Sequence, residues 1–357
     1  MLTKAPVEIR TSPHLKKAQT VEDIMRNVVY ALLPICAYAV WQFGISALAL
    51  ILVSVASCVG TEAFFARLQG KGSTVSDWSV TITGILLALT LPPGFPLWMA
   101  AVAGVVAVGL GKMLFGGIGY NVMNPALIGR AFVQAAFPVA ITTWTPAFAP
   151  GRFTEFIPST LTLPFMQPPP VADWIAGLQL DAFTGATPLA IQKFDHVEAG
   201  TLDLFMGSVP GSAGETSALL ILLCGLYLAV RRMLDWRIPL AVFAGALAVA
   251  MPLWLANPAI YPSPGFVLFS GGLMLGAVFM ATDMVASPVT PLGVIVYGLL
   301  IGAVTVVIRL FGGLNEGVMY AILLANALSP LISGWTQPRV FGARRQGRWF
   351  ARKPEGR

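Results

Sequence analysis

The sequence has little charge, few cysteines and almost no histidine. Only 11% of its 357 residues are charged, against about 25% in an ordinary soluble domain, and 56% are hydrophobic. This is the composition of a polytopic membrane protein. Cys36, Cys58 and Cys224 stand singly in different apolar stretches and lack the Cys-x-x-Cys spacing of zinc and iron–sulfur sites. His14 and His196 are isolated, so we expect no metal site and no catalytic constellation built from side chains alone.

Apolar windows dominate what is present. Ten of them approach the length of about 17 to 25 residues that crosses a hydrocarbon core. They run near 25–42, 46–66, 78–91, 96–115, 124–145, 216–230, 238–255, 265–282, 291–309 and 315–333, the third and sixth being the weakest. We predict an all-α fold of about ten transmembrane helices. A full-length span follows the basic amino-terminal arm, so we expect no cleavable signal peptide.

The two halves of the chain resemble each other at a constant offset of 196 residues. Leu-Phe-Gly-Gly at 114–117 recurs at 310–313, and Val-Met at 122–123 recurs at 318–319. The offset covers five spans, and an odd number inverts the second unit relative to the first. We therefore predict repeats at 25–145 and 214–333, an arm at 1–24, a loop at 146–213 and a basic tail at 334–357. Proline-rich breaks at 91–96 and 282–291 indicate either half-helices or ordinary loops.

Most of the 22 Lys and Arg fall on one side of this topology. Basic short loops stay in the cytoplasm, so both termini are predicted to be cytoplasmic and the loop at 146–213 to lie outside. The basic tail is also compatible with nucleic acid or with an anionic membrane surface. The topology signal explains it sufficiently, and we expect contact with membrane lipid and none with nucleic acid.

A hydroxyl-bearing turn lies inside the only long polar segment. Thr184, Gly185, Ala186 and Thr187 precede Pro188, which stiffens the exit of the turn. Such a turn is expected to present a surface hydroxyl, with room for a covalent or phosphate-type attachment at Thr187. The alternative is an ordinary surface turn.

Two further sets of polar residues lie near the membrane. Asn121, Asn124 and Arg130 fit a capped helix whose arginine reaches the cytoplasmic interface, or a cytoplasmic-side pocket for a planar cofactor. Glu62 and Asp283 are candidates for ion contact, because carboxylates at this depth usually face a pathway or a partner. An interfacial position is the alternative for both.

Several motifs together resemble the RnfD/NqrB family of membrane subunits over nearly the whole chain. They are Ser-Pro-His at 12–14, Asn-Pro-Ala at 124–126 with Gly129 and Arg130, Thr-Gly-Ala-Thr-Pro-Leu at 184–189, Ala-Thr-Asp at 281–283 and Ser-Pro-Val-Thr-Pro-Leu at 287–292. The resemblance implies that a flavin transferase esterifies the phosphate of FMN to Thr187. The resemblance departs at Met284, where the family pattern has proline. This puts in doubt whether the residues at that bend have the same roles as in the family.

The same resemblance implies assembly with other Rnf subunits and coupling of electron transfer to Na⁺ or H⁺ movement. The NqrB branch also holds noncovalent riboflavin, so Asn121, Asn124 and Arg130 become candidates for a second flavin contact. The expected function is an electron relay in a ferredoxin:NAD oxidoreductase of the bacterial inner membrane. A secondary transporter or channel without a redox cofactor is the main rival, and a purely structural anchor is the second.

Overall fold

A computed structural model describes residues 20–70, 75–169, 171, 174–175, 186–207, 209–215 and 217–338. All regular secondary structure among them is helical. The helices are α1 Val21–Phe43, α2 Ile45–Leu68, α3 Ser79–Leu89, α4 Leu97–Gly111, α5 Pro125–Ala136, α6 Pro138–Ile141, α7 Pro188–Asp195, α8 Thr201–Met206, α9 Ala218–Val230, α10 Arg237–Ala256, α11 Pro264–Phe269, α12 Leu273–Leu275, α13 Pro291–Phe311 and α14 Val318–Thr336. A π-helical turn, Gly276–Met280, continues α12.

The packing follows the same scheme in both halves. Helix α2 packs on α4 and α4 on α5, as α10 packs on α13 and α13 on α14. Asn27, near the start of α1, accepts hydrogen bonds from Tyr227 and Arg231 at the end of α9. Gln42, near the end of α1, donates to the carbonyl of Gly207, ahead of α9. The first helices of the two halves are therefore antiparallel, as an inverted repeat requires.

Inversion gives the helix bundle two distinct faces. The terminal face carries the start of α1 and the end of α14, whose Thr336 hydroxyl contacts Thr290 at the start of α13. The loop face carries the ends of α5 and α13 and the short helices α7 and α8.

Most predicted spans match observed helices, but two windows do not. The eighth window, 265–282, is broken, because α11 ends at Phe269 and α12 begins at Leu273. Among the described residues, six helices are long and apolar enough to cross a membrane, and the weak third and sixth windows are the short helices α3 and α9. The chain is thus an all-α polytopic membrane protein. The fifth window was predicted to run to 145, but α5 ends at Ala136. Proline disfavours helical backbone at the residue before it, and Pro138 follows Phe137 directly.

The two proline-rich breaks have different structures. Helix α3 ends at Leu89, and the irregular segment after it, 90–95, is buried. The carbonyls of Leu89 and Leu91 accept hydrogen bonds from Gly214 and Ala213 at 2.7 and 3.1 Å. These bonds satisfy backbone groups that a half-helix leaves open inside a membrane protein. The second break, 282–291, is a connection from the π-helical turn to the Thr290 cap of α13.

Helices α10 and α13 approach each other through glycines. A Cβ atom on Gly302 would lie 2.0 Å from the carbonyl oxygen of Val242, and one on Gly245 would lie 2.3 Å from that of Leu299. Backbone contact this close admits no side chain. It is the packing that small residues permit between membrane helices.

We expect Gly302→Ala to lower the thermal stability of the purified protein, because the added methyl group would force α10 and α13 apart. Overpacking of this kind costs about 1–3 kcal/mol. Gly60→Ala is the matched control, since a Cβ atom there would meet nothing within 4 Å. Thermal unfolding of the two variants in detergent measures the difference. Equal transition temperatures would contradict the helix contact described here.

Candidate functional site

A cavity of about 280 Å³ opens among the elements of the loop face. We call it the Thr187 cavity. Its lining includes Arg130, Gln134, Ile141, Thr142, Trp144, Ala186, Thr187, Ala190 and the segment 313–316. Its volume is close to the lower end of small-molecule sites, which hold about 300–1,000 Å³.

Thr187 is held in place as the N-cap of α7. Its backbone is extended, its Oγ1 accepts a hydrogen bond from the Ala190 N–H at 3.3 Å, and Pro188 occupies the first helical position. The prediction of a surface hydroxyl was wrong, because Thr187 is only 5% exposed. Instead, the Thr187 side chain lines the cavity. Ala186 lines it too, whereas Thr184 and Gly185 lie outside the described residues.

Two side chains of α7 fix it against the loops that enclose the cavity. Lys193 donates hydrogen bonds to the carbonyls of Gly312 and Leu314 at 2.6 and 3.0 Å. Partial burial lowers the pKa of Lys193 from its ordinary value. Gln192 donates to the carbonyl of Ile260 at 3.3 Å. Through Lys193, α7 is joined to the segment 313–316, which also lines the cavity.

Part of the cavity lining is charged. Arg130 forms an ion pair with Glu316, and their side chains are 7% and 14% exposed. The carboxyl group of Glu215 hydrogen-bonds to that of Glu316, and the Arg309 charge acts on both carboxyls. Glu215, Glu316 and Arg309 were not among the predicted site residues. Their positions in the sequence do indicate a functional role, since Glu215 and Glu316 stand just before apolar spans and Arg309 is the lone cation in α13.

A second cavity, of about 120 Å³, lies at the terminal face. We call it the Asn121 cavity; its lining includes Ser79, Thr83, Lys112, Asn121, Asn124 and Asp283. Asn124 is the predicted cap of α5, where its Oδ1 accepts from the Ala126 N–H at 3.0 Å. Asn121 donates to Asp283 at 3.1 Å.

The prediction that Arg130 joins Asn121 and Asn124 in one pocket was wrong. Helix α5 begins beside the Asn121 cavity, but Arg130 lies five residues after Pro125 and lines the Thr187 cavity instead. Its partner, Glu316, precedes α14 on the loop face. Arg130 therefore lies toward the loop face and away from the Asn121 cavity.

The two ion-contact candidates differ in their surroundings. Asp283 lines the Asn121 cavity, whereas Glu62 is fully buried in an ion pair with Lys112 at 2.8 Å. Lys112 also donates to the hydroxyl of Ser79 at 2.7 Å. Thus Lys112 lines the cavity and Glu62 lies behind it.

The two sites offer different chemistry. The Thr187 cavity combines a hydroxyl group, a guanidinium group and the Trp144 ring, which suits an aromatic ligand that carries an anionic group. The Asn121 cavity offers amides, a carboxyl group and an ammonium group. Among the described residues, no group of three or more His, Cys, Asp or Glu is placed to hold a metal ion.

Comparison with known proteins shows one consistent relationship. Residues 8–342 match the model of the NQR2, RnfD, RnfE family. The chain is 40% identical over 338 residues to the D subunit of the Na(+)-translocating ferredoxin:NAD(+) oxidoreductase complex of Acetobacterium woodii, covering 94% of this chain and 95% of that protein. It is 38% identical to the D subunit of the proton-translocating ferredoxin:NAD(+) oxidoreductase complex of Clostridium ljungdahlii, with 94% and 96% covered. It is 36% identical to the D subunit of the ion-translocating oxidoreductase complex of Alcanivorax borkumensis, with 95% and 97% covered.

The Lys112–Glu62 pair yields a stability prediction. We expect Lys112→Met to destabilise the protein by about 3–5 kcal/mol, because it leaves the buried Glu62 carboxylate without its cation. The double variant Lys112→Met/Glu62→Met removes both charges and is expected to recover most of that loss. Thermal unfolding in detergent of the single and double variants checks this. A double variant no more stable than Lys112→Met would refute the coupling.

Proposed function

Because this chain belongs to the NQR2, RnfD, RnfE family, we propose that it is the corresponding membrane subunit of an ion-translocating ferredoxin:NAD oxidoreductase complex. In this proposal it relays electrons through FMN esterified to Thr187, and that relay is coupled to Na⁺ or H⁺ translocation. The names of the relatives support the complex and its activity. The observation that carries the cofactor assignment is the placement of the Thr187 side chain in a cavity shared with Arg130.

The position of Thr187 suits a phosphate ester. Its Oγ1 acts only as an acceptor toward the Ala190 N–H, and an ester oxygen keeps a lone pair for that bond. Negative charge is favourable at the start of a helix, and α7 begins at the next residue. The guanidinium of Arg130, on the same cavity, offers a second favourable contact for phosphate.

In this proposal, four residues that line the Thr187 cavity have separate roles. Thr187 would tether the cofactor, so its position would not depend on binding affinity. Arg130 would balance the phosphate charge, and Trp144 and Ile141 would provide apolar surface for a ring system. FMN supplies the one-electron chemistry that protein side chains lack.

The Asn121 cavity is our candidate for a second, noncovalent flavin such as riboflavin. Asn121 and Asn124 supply amide groups at its wall. In this proposal, Arg130 contacts the FMN in the Thr187 cavity instead, since it lines that cavity. Asp283 in the cavity and Glu62 behind Lys112 remain our candidates for contact with the coupled ion. The relatives' names include both a Na⁺ and a proton translocator, so the proposal covers either ion.

We further propose that the terminal face is cytoplasmic in the bacterial inner membrane and that the loop face is periplasmic. Arg67, Arg231, Arg232 and Arg237 at the terminal face support this orientation. Exposed apolar side chains on the loop face, such as Leu163 and Met166, would be covered by other Rnf subunits. A flavin transferase would act on Thr187 during maturation.

The main rival function is a secondary transporter or channel, and inverted repeats with a broken helix are common in that class. A structural membrane anchor is the second rival. Neither function needs a hydroxyl group and a guanidinium group in one cavity. A covalent flavin on the chain separates the electron relay from both rivals.

The chain as made in its host is expected to carry an FMN-sized mass increment on the peptide that contains Thr187. In Thr187→Ala the increment should disappear, because the acceptor oxygen is gone. Intact-mass measurement, peptide mapping and flavin fluorescence in a denaturing gel give the readout.

Thr290→Ala is the matched control for that experiment. It also removes a threonine N-cap, which costs about 1 kcal/mol, but at the terminal face. This variant should keep the full increment. An unmodified wild-type chain from assembled complex, or an increment retained in Thr187→Ala, would refute the proposed tether.

The orientation can be measured by labelling introduced cysteines in intact cells. Leu163 is 64% exposed on the loop face, and Arg237 is exposed at the terminal face. We expect a membrane-impermeant maleimide to label Leu163→Cys readily and Arg237→Cys only after the cells are permeabilised. The native thiols Cys36, Cys58 and Cys224 are buried and should give little background. The reverse labelling pattern would place the Thr187 cavity toward the cytoplasm.

A further inference from the structure

Glu215 is positioned by the segment that enters the bundle ahead of α9. Its carboxyl group accepts a hydrogen bond from the Ser212 N–H at 3.4 Å and meets the carboxyl group of Glu316. A Cβ atom on Gly272 would lie 3.3 Å from Glu215 Oε1, so that glycine leaves space for the carboxyl group. Glu215 does not line the Thr187 cavity, but its partner Glu316 does.

Two guanidinium groups face this carboxyl pair from two other elements. Arg130 of α5 pairs with Glu316. Arg309 of α13 donates to the carbonyls of Val267 and Ser270 at 2.9 and 3.0 Å, and its charge acts on both carboxyls.

Two buried polar atoms beside the pair, Arg309 Nε and Ser270 Oγ, have no hydrogen-bond partner in the described part of the protein. Buried polar atoms are normally satisfied by protein or by water. The group therefore has unused hydrogen-bonding capacity for ordered water.

Electrostatics determines how protons distribute over this group. Two carboxylates in hydrogen-bonding contact repel each other, which favours a state in which the pair keeps one proton. Burial, followed by the neighbouring Glu316 carboxyl group, raises the pKa of Glu215 above its ordinary value, so Glu215 is the carboxyl group that holds the proton. With both arginines charged, one proton on the pair leaves the group with a net charge of about +1. Loss of that proton makes the group neutral.

We propose that Glu215 and Glu316 form a proton-binding site whose occupancy is linked to the charge of the group held in the Thr187 cavity. The inference rests on the proposed function, because it needs a redox cofactor in that cavity. Negative charge placed beside Glu316 increases the affinity of the pair for a proton. By reciprocity, a proton on the pair favours electron entry into the cavity.

The step balances in charge and in atoms. One electron arrives from a reduced one-electron carrier of a partner subunit, either a flavin or an iron–sulfur cluster. At a pH where the pair has lost its proton in the oxidised state, one proton arrives from water and binds to the pair. When the electron passes to the next carrier, the proton returns to water. No covalent bond within the chain changes.

The test compares midpoint potentials of the Thr187-bound flavin in the full-length chain and in Glu215→Gln. Glutamine keeps a hydrogen-bond donor toward Glu316 and cannot titrate. Potentials are measured from about pH 6 to about pH 9, the range in which a buried glutamate beside a second carboxylate titrates. We expect the wild-type potential to fall more steeply with pH than that of the variant, by up to about 59 mV per pH unit for one proton per electron.

Two controls keep the proposal falsifiable. Glu155→Gln, an exposed site on the same face, should keep the wild-type pH dependence. If Glu215→Gln does not fold, Glu316→Gln replaces it, because this variant removes the other carboxyl group of the pair. Equal pH dependence in either comparison overturns the proton site. Absence of flavin from the wild-type chain overturns the proposed function instead.

Discussion

Lys112 and Arg309 occupy equivalent places near the ends of α4 and α13, and each joins its helix to the broken third helix of its own half. Lys112 donates to the hydroxyl of Ser79 at the start of α3, and Arg309 donates to the carbonyls of Val267 and Ser270 in and after α11. In hydrocarbon, charges and free carbonyls must find partners inside the protein. One buried cation in each half meets that requirement where a helix is interrupted.

Inversion of the two halves places these cations at opposite faces, and each one lies beside a cavity. Lys112 lines the Asn121 cavity, and the charge of Arg309 acts on Glu215 and on Glu316, which lines the Thr187 cavity. The acidic partners have diverged: Lys112 pairs with Glu62 of α2, whereas Arg309 faces Glu215 and Glu316 from loop segments. One repeated scaffold thus yields two chemically different sites near opposite surfaces.

Local sequence signals predicted the local features of the fold. Hydropathy located the membrane helices, and residue types at helix starts identified the Asn124 cap. Contacts between distant segments were not predictable, because no local pattern reports them. Arg130 and Glu316 are 186 positions apart, and which cavity Arg130 lines depends on how α5 packs against α14. The burial of Thr187 likewise depends on Lys193 and its remote carbonyl partners.

The burial of Thr187 constrains how an ester could form there. An oxygen in a residue that is 5% exposed is out of reach of a second enzyme in the closed structure. Leu189, Leu204 and Phe266 form a small apolar cluster separate from the main core. Small units of this kind open at lower cost than the whole domain. The attachment that we propose at Thr187 would therefore require α7 to open, or to be modified before it packs, and the Lys193 contacts would form again afterwards.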